Sequence, residues 1–119
     1  MGKASREKGK RGERELAALL REYGYNSKRG QQFCGLEGNA DVVGLPGIHM
    51  ECKRVEKLNL SGAVKQAVRD CSAISPAEGK KPKLPAVFHR KNREEWLVTM
   101  RLDDFIQIYR EYESANDLM

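Results

Sequence analysis

Asp41, Glu51 and Lys53 are the residues of this chain whose types and spacing could do chemistry. Glu51 and Lys53 close a run, Ile48 to Lys53, in which apolar and polar residues alternate, so in an extended strand both point to the same face. Asp41 stands ten residues before Glu51 with the turn chemistry of Leu45-Pro46-Gly47 between them, a spacing that lays the two segments side by side as a hairpin. Two carboxylates and one ammonium then meet at one place. Hard oxygen donors of this kind hold Mg²⁺ or Mn²⁺, which polarises a phosphoryl oxygen and acidifies a water, while a lysine beside them orients that water or stabilises developing charge. That grouping suits phosphodiester hydrolysis, and the main-chain carbonyl of Cys52 is available as one more metal ligand. Taken alone, Glu51-x-Lys53 is equally the alternation of a solvated strand face, and that reading stays open at this point.

Such a site needs a scaffold, and the hydrophobic pattern describes one. Leu16, Leu19 and Leu20, with Ala17 and Ala18, recur at helical spacing between about Gly12 and Tyr23, and Gly24 is placed as a stop. The chain then reads as extended to about Arg29, passes glycines at 30, 35 and 38, and enters a short β-branched strand over residues 40–44 before the Ile48–Lys53 strand. Ala63, Val64, Ala67, Val68 and Cys71 predict a second helix over 61–74, with Ser61 as its N-cap. Residues 75–83 form a Pro- and Lys-rich loop. Strands over 84–89 and 96–100 follow, joined by a polar turn, and a last helix runs from about Leu102 to Tyr112. The order α-β-β-β-α-β-β-α belongs to the α/β class, a mixed sheet of about five strands flanked by helices.

Composition narrows the partners. A chain of 119 residues, 39% hydrophobic and 33% charged, suits one globular domain better than a disordered tail. No apolar run approaches the roughly 20 residues that cross a bilayer, and the basic N-terminus lacks a secretory signal's apolar stretch. The expectation is a cytoplasmic protein with no membrane partner, whose residues 1–11 form a flexible basic segment ahead of the first helix. Cys34, Cys52 and Cys71 lack the spacing of a zinc site and read as reduced, partly buried thiols. A net charge of +5 favours a polyanion. The cations crowd into two groups, one holding Lys3, Arg6, Lys8, Lys10, Arg11 and Arg14 and the other Lys80, Lys81, Lys83, Arg90, Lys91 and Arg93. His49 reads as a hydrogen-bonded surface residue rather than a ligand, and His89 has no second histidine at ligand spacing.

Through the segment from Lys8 to Leu16, then Tyr23-Gly24-Tyr25 and Arg29, Asp41-Val42-Val43 and Glu51-Cys52-Lys53, the chain resembles a known family. It is similar to the archaeal-type Holliday junction resolvases of the PD-(D/E)xK nuclease superfamily, and to small phage-encoded nucleases of that superfamily. The resemblance covers about residues 8 to 70 and rests on several motifs in order. Ala40 departs from it, standing where the motif has proline; that position carries no ligand.

The resemblance implies a restriction-endonuclease-like core and a Mg²⁺- or Mn²⁺-dependent endonuclease acting on branched DNA. It implies that Glu13 joins Asp41 and Glu51 as a metal-site acid, that Lys53 is the catalytic lysine and that Gln66, thirteen residues further on, assists the site. It places Arg14 and Arg29 near the scissile phosphate, and it implies a homodimer. Lys10, Arg11, Lys80, Lys81 and Lys83 are the further candidates for contact with DNA. Two other readings stand beside this one: a nuclease of the same superfamily acting on flaps, nicks or duplex DNA, and a DNA-binding protein without catalysis.

Overall fold

A computed structural model describes residues 2–30 and 40–118, with side chains from residue 7 onward; Cys34, Gly35 and Gly38 lie outside the described residues. Helix α1 (Gly2–Glu22) turns Leu16, Ala17 and Leu20 inward, and these pack on Val42, Met50, Cys52, Ala86 and Phe88 from one face of the sheet. The helix starts ten residues before the first position its apolar periodicity marks, so residues 2–11, expected as a segment ahead of it, have helical backbone. Lys, Arg and Glu are good helix formers, and residues 7–11 are exposed, so this stretch carries no apolar period to mark it.

The sheet has five strands in chain order: β1 (Lys28–Arg29), β2 (Val42–Val43), β3 (Ile48–Arg54), β4 (Leu84–Arg90) and β5 (Leu97–Thr99). All pairs are antiparallel except β3 with β4, where Glu51 lies beside Val87 and Lys53 beside His89. That parallel pair requires a crossover, supplied by α2 (Leu60–Ser72) on the face opposite α1, where Ala63 and Ala67 cover Val87. Gly44, at φ +121°, ends β2 hard against Ser27; a Cβ there would lie 2.5 Å from the Ser27 Cα.

The cap of α2 is Asn59 and not Ser61: the Asn59 Oδ1 accepts the Gly62 N–H at 3.0 Å, and Ser61 already lies inside the first turn. The final helix, α3 (Leu102–Ala115), buries only Asp104, which accepts from Arg101 Nε at 2.9 Å. Leu102, Phe105, Ile108, Tyr109 and Tyr112 are exposed. The element order and the mixed sheet are those read from the sequence. No helix among the described residues is long and apolar enough to cross a membrane.

Candidate active site

Alternation along β3 sends Met50 and Cys52 into the core under α1, and His49, Glu51 and Lys53 toward α2. Asp41, just before β2, is clamped to β3 twice: its N–H donates to the Met50 carbonyl at 3.0 Å, and its Oδ2 accepts the Cys52 N–H at 2.8 Å. Its carboxylate thereby meets that of Glu51. Glu51 is 1% exposed and lies within hydrogen-bonding reach of the carboxyls of both Asp41 and Asp70. Burial, and then the Asp41 charge, push its carboxyl well above the usual carboxylate range.

Lys53 Nζ donates to Gln66 Oε1 at 3.1 Å, so the lysine is in contact with the α2 glutamine expected to assist the site. Glu13, on α1, accepts from Arg29 Nε at 2.9 Å. Burial raises the Glu13 carboxyl, the Arg29 bond opposes that shift, and the Asp41 charge adds to it; Glu13 and Asp41 therefore share one electrostatic environment. Arg14 is exposed beside them, and its charge acts to lower the Glu13 pKa.

The other expected DNA contacts lie elsewhere. Lys10 makes an exposed pair with Glu7 at 4.0 Å, and Arg11 lines a separate cleft with Arg54. Lys80, Lys81 and Lys83 border a groove of about 830 Å³ that also touches Gly47, Leu84 and Ile108, and so sits where β3 and β4 begin, at the opposite end of the strands from Lys53.

Two residues of the site were not singled out from the sequence. Asp70 lies four residues after Gln66 on α2 and therefore on the same helix face, a spacing that could have identified it. His49, read as a surface residue, is instead 1% exposed, with Nε2 3.2 Å from Glu51 Oε1. The correction has a packing cause: α2 covers the strand face that alternation marks as polar.

Among the described residues no group of three His, Cys, Asp or Glu side chains converges to hold a metal ion as they stand. Glu13 faces Arg29, and Glu51 is engaged by His49, Asp41 and Asp70. The donor set nonetheless fits a hard divalent cation. Two carboxyls in contact in a buried place repel each other once both ionise, unless a proton or a cation lies between them. Oxygen donors of this charge are those Mg²⁺ and Mn²⁺ take.

The mixed sheet, with an acid before β2 and an acid and lysine on β3, defines a nuclease of the PD-(D/E)xK superfamily. The chain belongs to the family described as "phage putative PDDEXK endonuclease", whose model matches residues 4–119. Among solved structures it is similar to Hjc from Archaeoglobus fulgidus, a Holliday junction resolvase from an archaeal hyperthermophile, at 24% identity and a TM-score of 0.53; the match covers 78% of this chain and 72% of Hjc. A search of curated proteins finds no match.

Proposed function

We propose that this nuclease is a divalent-metal-dependent endodeoxyribonuclease acting on branched DNA, with the four-way junction as its preferred substrate, and that it works as a homodimer. The observation that carries the catalytic part is the meeting of the Asp41 carboxyl, just before β2, with the Glu51 carboxyl on β3, with Lys53 on the same strand face two residues on. Asp41, Glu51 and the Cys52 carbonyl would hold Mg²⁺ or Mn²⁺, with Glu13 joining from α1. The bound cation would supply Lewis-acid polarisation of the scissile phosphate and a more acidic water.

The chain's own residues do the rest. Lys53, steadied by Gln66, places its ammonium where it orients the attacking water and balances charge developing on the phosphoryl oxygens. Water attacks phosphorus in line with the departing oxygen; a P–O bond forms as the P–O bond to that oxygen breaks, and the departing oxygen leaves with a proton. Arg29, anchored on Glu13, and Arg14 beside it face the strand being cut.

Junction preference is supported by the likeness to Hjc, and the homodimer by the uncovered apolar residues of α3. Cleavage of an end-labelled four-way junction and a matched linear duplex with Mg²⁺, wild type beside Glu51→Ala, tests the proposal. Paired symmetric cuts in the junction by wild type alone are expected. Equal cutting of the duplex would remove the substrate assignment and keep the site; no cutting with either metal would remove catalysis and leave a DNA-binding protein.

A further inference from the structure

We infer that a second phosphate of the substrate strand is held in a cleft on the α1 side of the sheet, built by Lys8, Arg11, Arg54 and Asn92. The inference rests on the nucleic-acid substrate proposed above and adds a subsite to it. The cleft has a volume of about 410 Å³ and is lined by Lys8, Arg11, Gly12 and Glu15 of α1, Arg54 at the end of β3, and Asn92 of the β4–β5 turn. Three separate elements thus converge on it.

The cleft is held in shape from several sides. Gly12 lets α1 approach β3: a Cβ at this position would lie 2.5 Å from the Arg54 Cβ. A mid-helix glycine costs about 1 kcal/mol relative to alanine, and here the close approach explains its presence. Arg54 is fixed by two hydrogen bonds, Nε to Glu15 Oε1 at 3.4 Å and Nη1 to Asn92 Oδ1 at 2.9 Å, and its Nη1 lies 3.9 Å from Glu56 Oε2. The turn carrying Asn92 is itself pinned, its Asn92 N–H donating to Glu56 Oε2 at 2.7 Å.

The charges left over point to an anion. Glu15 Oε1 is shared between Arg54 and Arg90, so its negative charge is already balanced. A guanidinium has five donors, and the Arg54 Nη2 has no partner among the described residues once Nε and Nη1 are used. Lys8 and Arg11, one helical turn apart on α1, likewise have no ion-pair partner among the described residues. A planar fork with two further cations around a solvent-filled cleft recognises a phosphate group.

Arg54 follows Lys53 directly and points to the other face of the strand. The cleft is therefore close to Lys53 but separate from it. Phosphates recur about every 3.4 Å of axis along one DNA strand, so the phosphate bound here is a near neighbour of the scissile one on the strand being cut.

The test uses the full chain carrying Glu51→Gln, without divalent metal so that nothing is cut, and a labelled four-way junction. A single neutral methylphosphonate is walked along the strand. One position near the cleavage point should weaken binding about tenfold, as expected for removing a charge-assisted hydrogen bond, and adding Lys8→Ala with Arg11→Ala should abolish that sensitivity. The same pair should lower the salt slope by about 0.9 for each phosphate no longer engaged. Lys8 and Arg11 are exposed, so the variant keeps its fold, which thermal melting checks. If the double variant retains the same position-specific weakening, or binds with an unchanged slope, the cleft is not a phosphate site. If wild type never cuts DNA yet shows the position-specific weakening, the cleft stands and the catalytic reading falls.

Discussion

His49 and Glu51, two residues apart on one face of β3, are joined by a 3.2 Å contact between Nε2 and Oε1, with both side chains sealed from solvent. Burial holds the imidazole toward its neutral form, with one ring nitrogen a donor and the other an acceptor; Nε2 makes the contact with Glu51 and Nδ1 has no hydrogen-bond partner among the described residues. In the proposed site the imidazole orients the Glu51 carboxyl toward Asp41. Glutamine can present its amide nitrogen near the Nε2 position, whereas asparagine is too short. His49→Gln should therefore keep metal affinity within about threefold, and His49→Asn should lower it about 10- to 100-fold, the range for removing a residue that orients a ligand. Titration calorimetry with Mn²⁺ on both variants decides it; equal affinities would show that His49 only fills space.

The raised Glu51 carboxyl makes metal-free stability depend on pH. A group whose pKa is higher folded than unfolded binds its proton more tightly in the native state, so its contribution is full below the ordinary carboxylate range and is lost as pH rises through the folded value. The melting temperature of metal-free protein should fall as pH rises from about 4.5 through neutrality, while Glu51→Gln flattens this slope. A divalent ion replaces the proton, so its binding near neutral pH should release protons, measurable as a buffer-dependent calorimetric enthalpy. A wild-type slope equal to that of the variant would place the titration elsewhere.

In the proposed mechanism Lys53 and Gln66, joined by a hydrogen bond, act as a pair in which only the first reaches the substrate. Lys53→Met should lower kcat by about 10²- to 10³-fold, the range for removing one stabilising group at developing charge, with little change in junction binding. Gln66→Ala should have a smaller effect on kcat, and in the Lys53→Met background it should have almost none, because its part is to hold the lysine through one hydrogen bond. Additive effects would give Gln66 a function of its own.

Helix α3 exposes Phe105 and Tyr109 with their rings stacked at 6.1 Å, and Tyr112 continues the row at 6.0 Å from Tyr109. Isolated helices of this length are marginal in water, and its one buried side chain is an aspartate. Phe105→Glu with Tyr109→Glu should convert a dimer to a monomer in sedimentation and uncouple the two cuts in a junction. A wild-type monomer at micromolar concentration would remove the homodimer.

Gly12→Ala gains about 1 kcal/mol of helix propensity but drives a methyl into the Arg54 side chain. Overpacking of this kind costs about 1–3 kcal/mol, so the net effect on stability should lie between zero and a decrease of about 2 kcal/mol. A melting temperature clearly above wild type would mean that β3 and α1 separate without strain.

Much of this protein was legible in its residues because the signals are local. The alternation of Ile48 to Lys53, the helical spacing of Leu16 with Leu20 and of Ala63 with Ala67, and the turn at 45–47 each report a short-range pattern, and together they determined the element order and the Asp41–Glu51–Lys53 grouping. The resemblance also implied that Gln66 assists the site, and the structure sets it on Lys53. What the sequence could not decide depends on which surface another element covers. The polar period of β3 marks His49 as outward-facing, and only the docking of α2 buries it. The apolar residues of α3 offer a surface to bury, against the core or a partner, and only the packing of the helix leaves Leu102, Phe105 and Ile108 exposed. The basic residues of α1 have no apolar period, so the first ten helical residues are silent in the pattern, and the cleft joining Lys8, Arg11 and Arg54 exists only once β3 lies against Gly12. Periodicity specifies what each element can bury; the tertiary packing decides what is buried, because that depends on residues far apart in the chain.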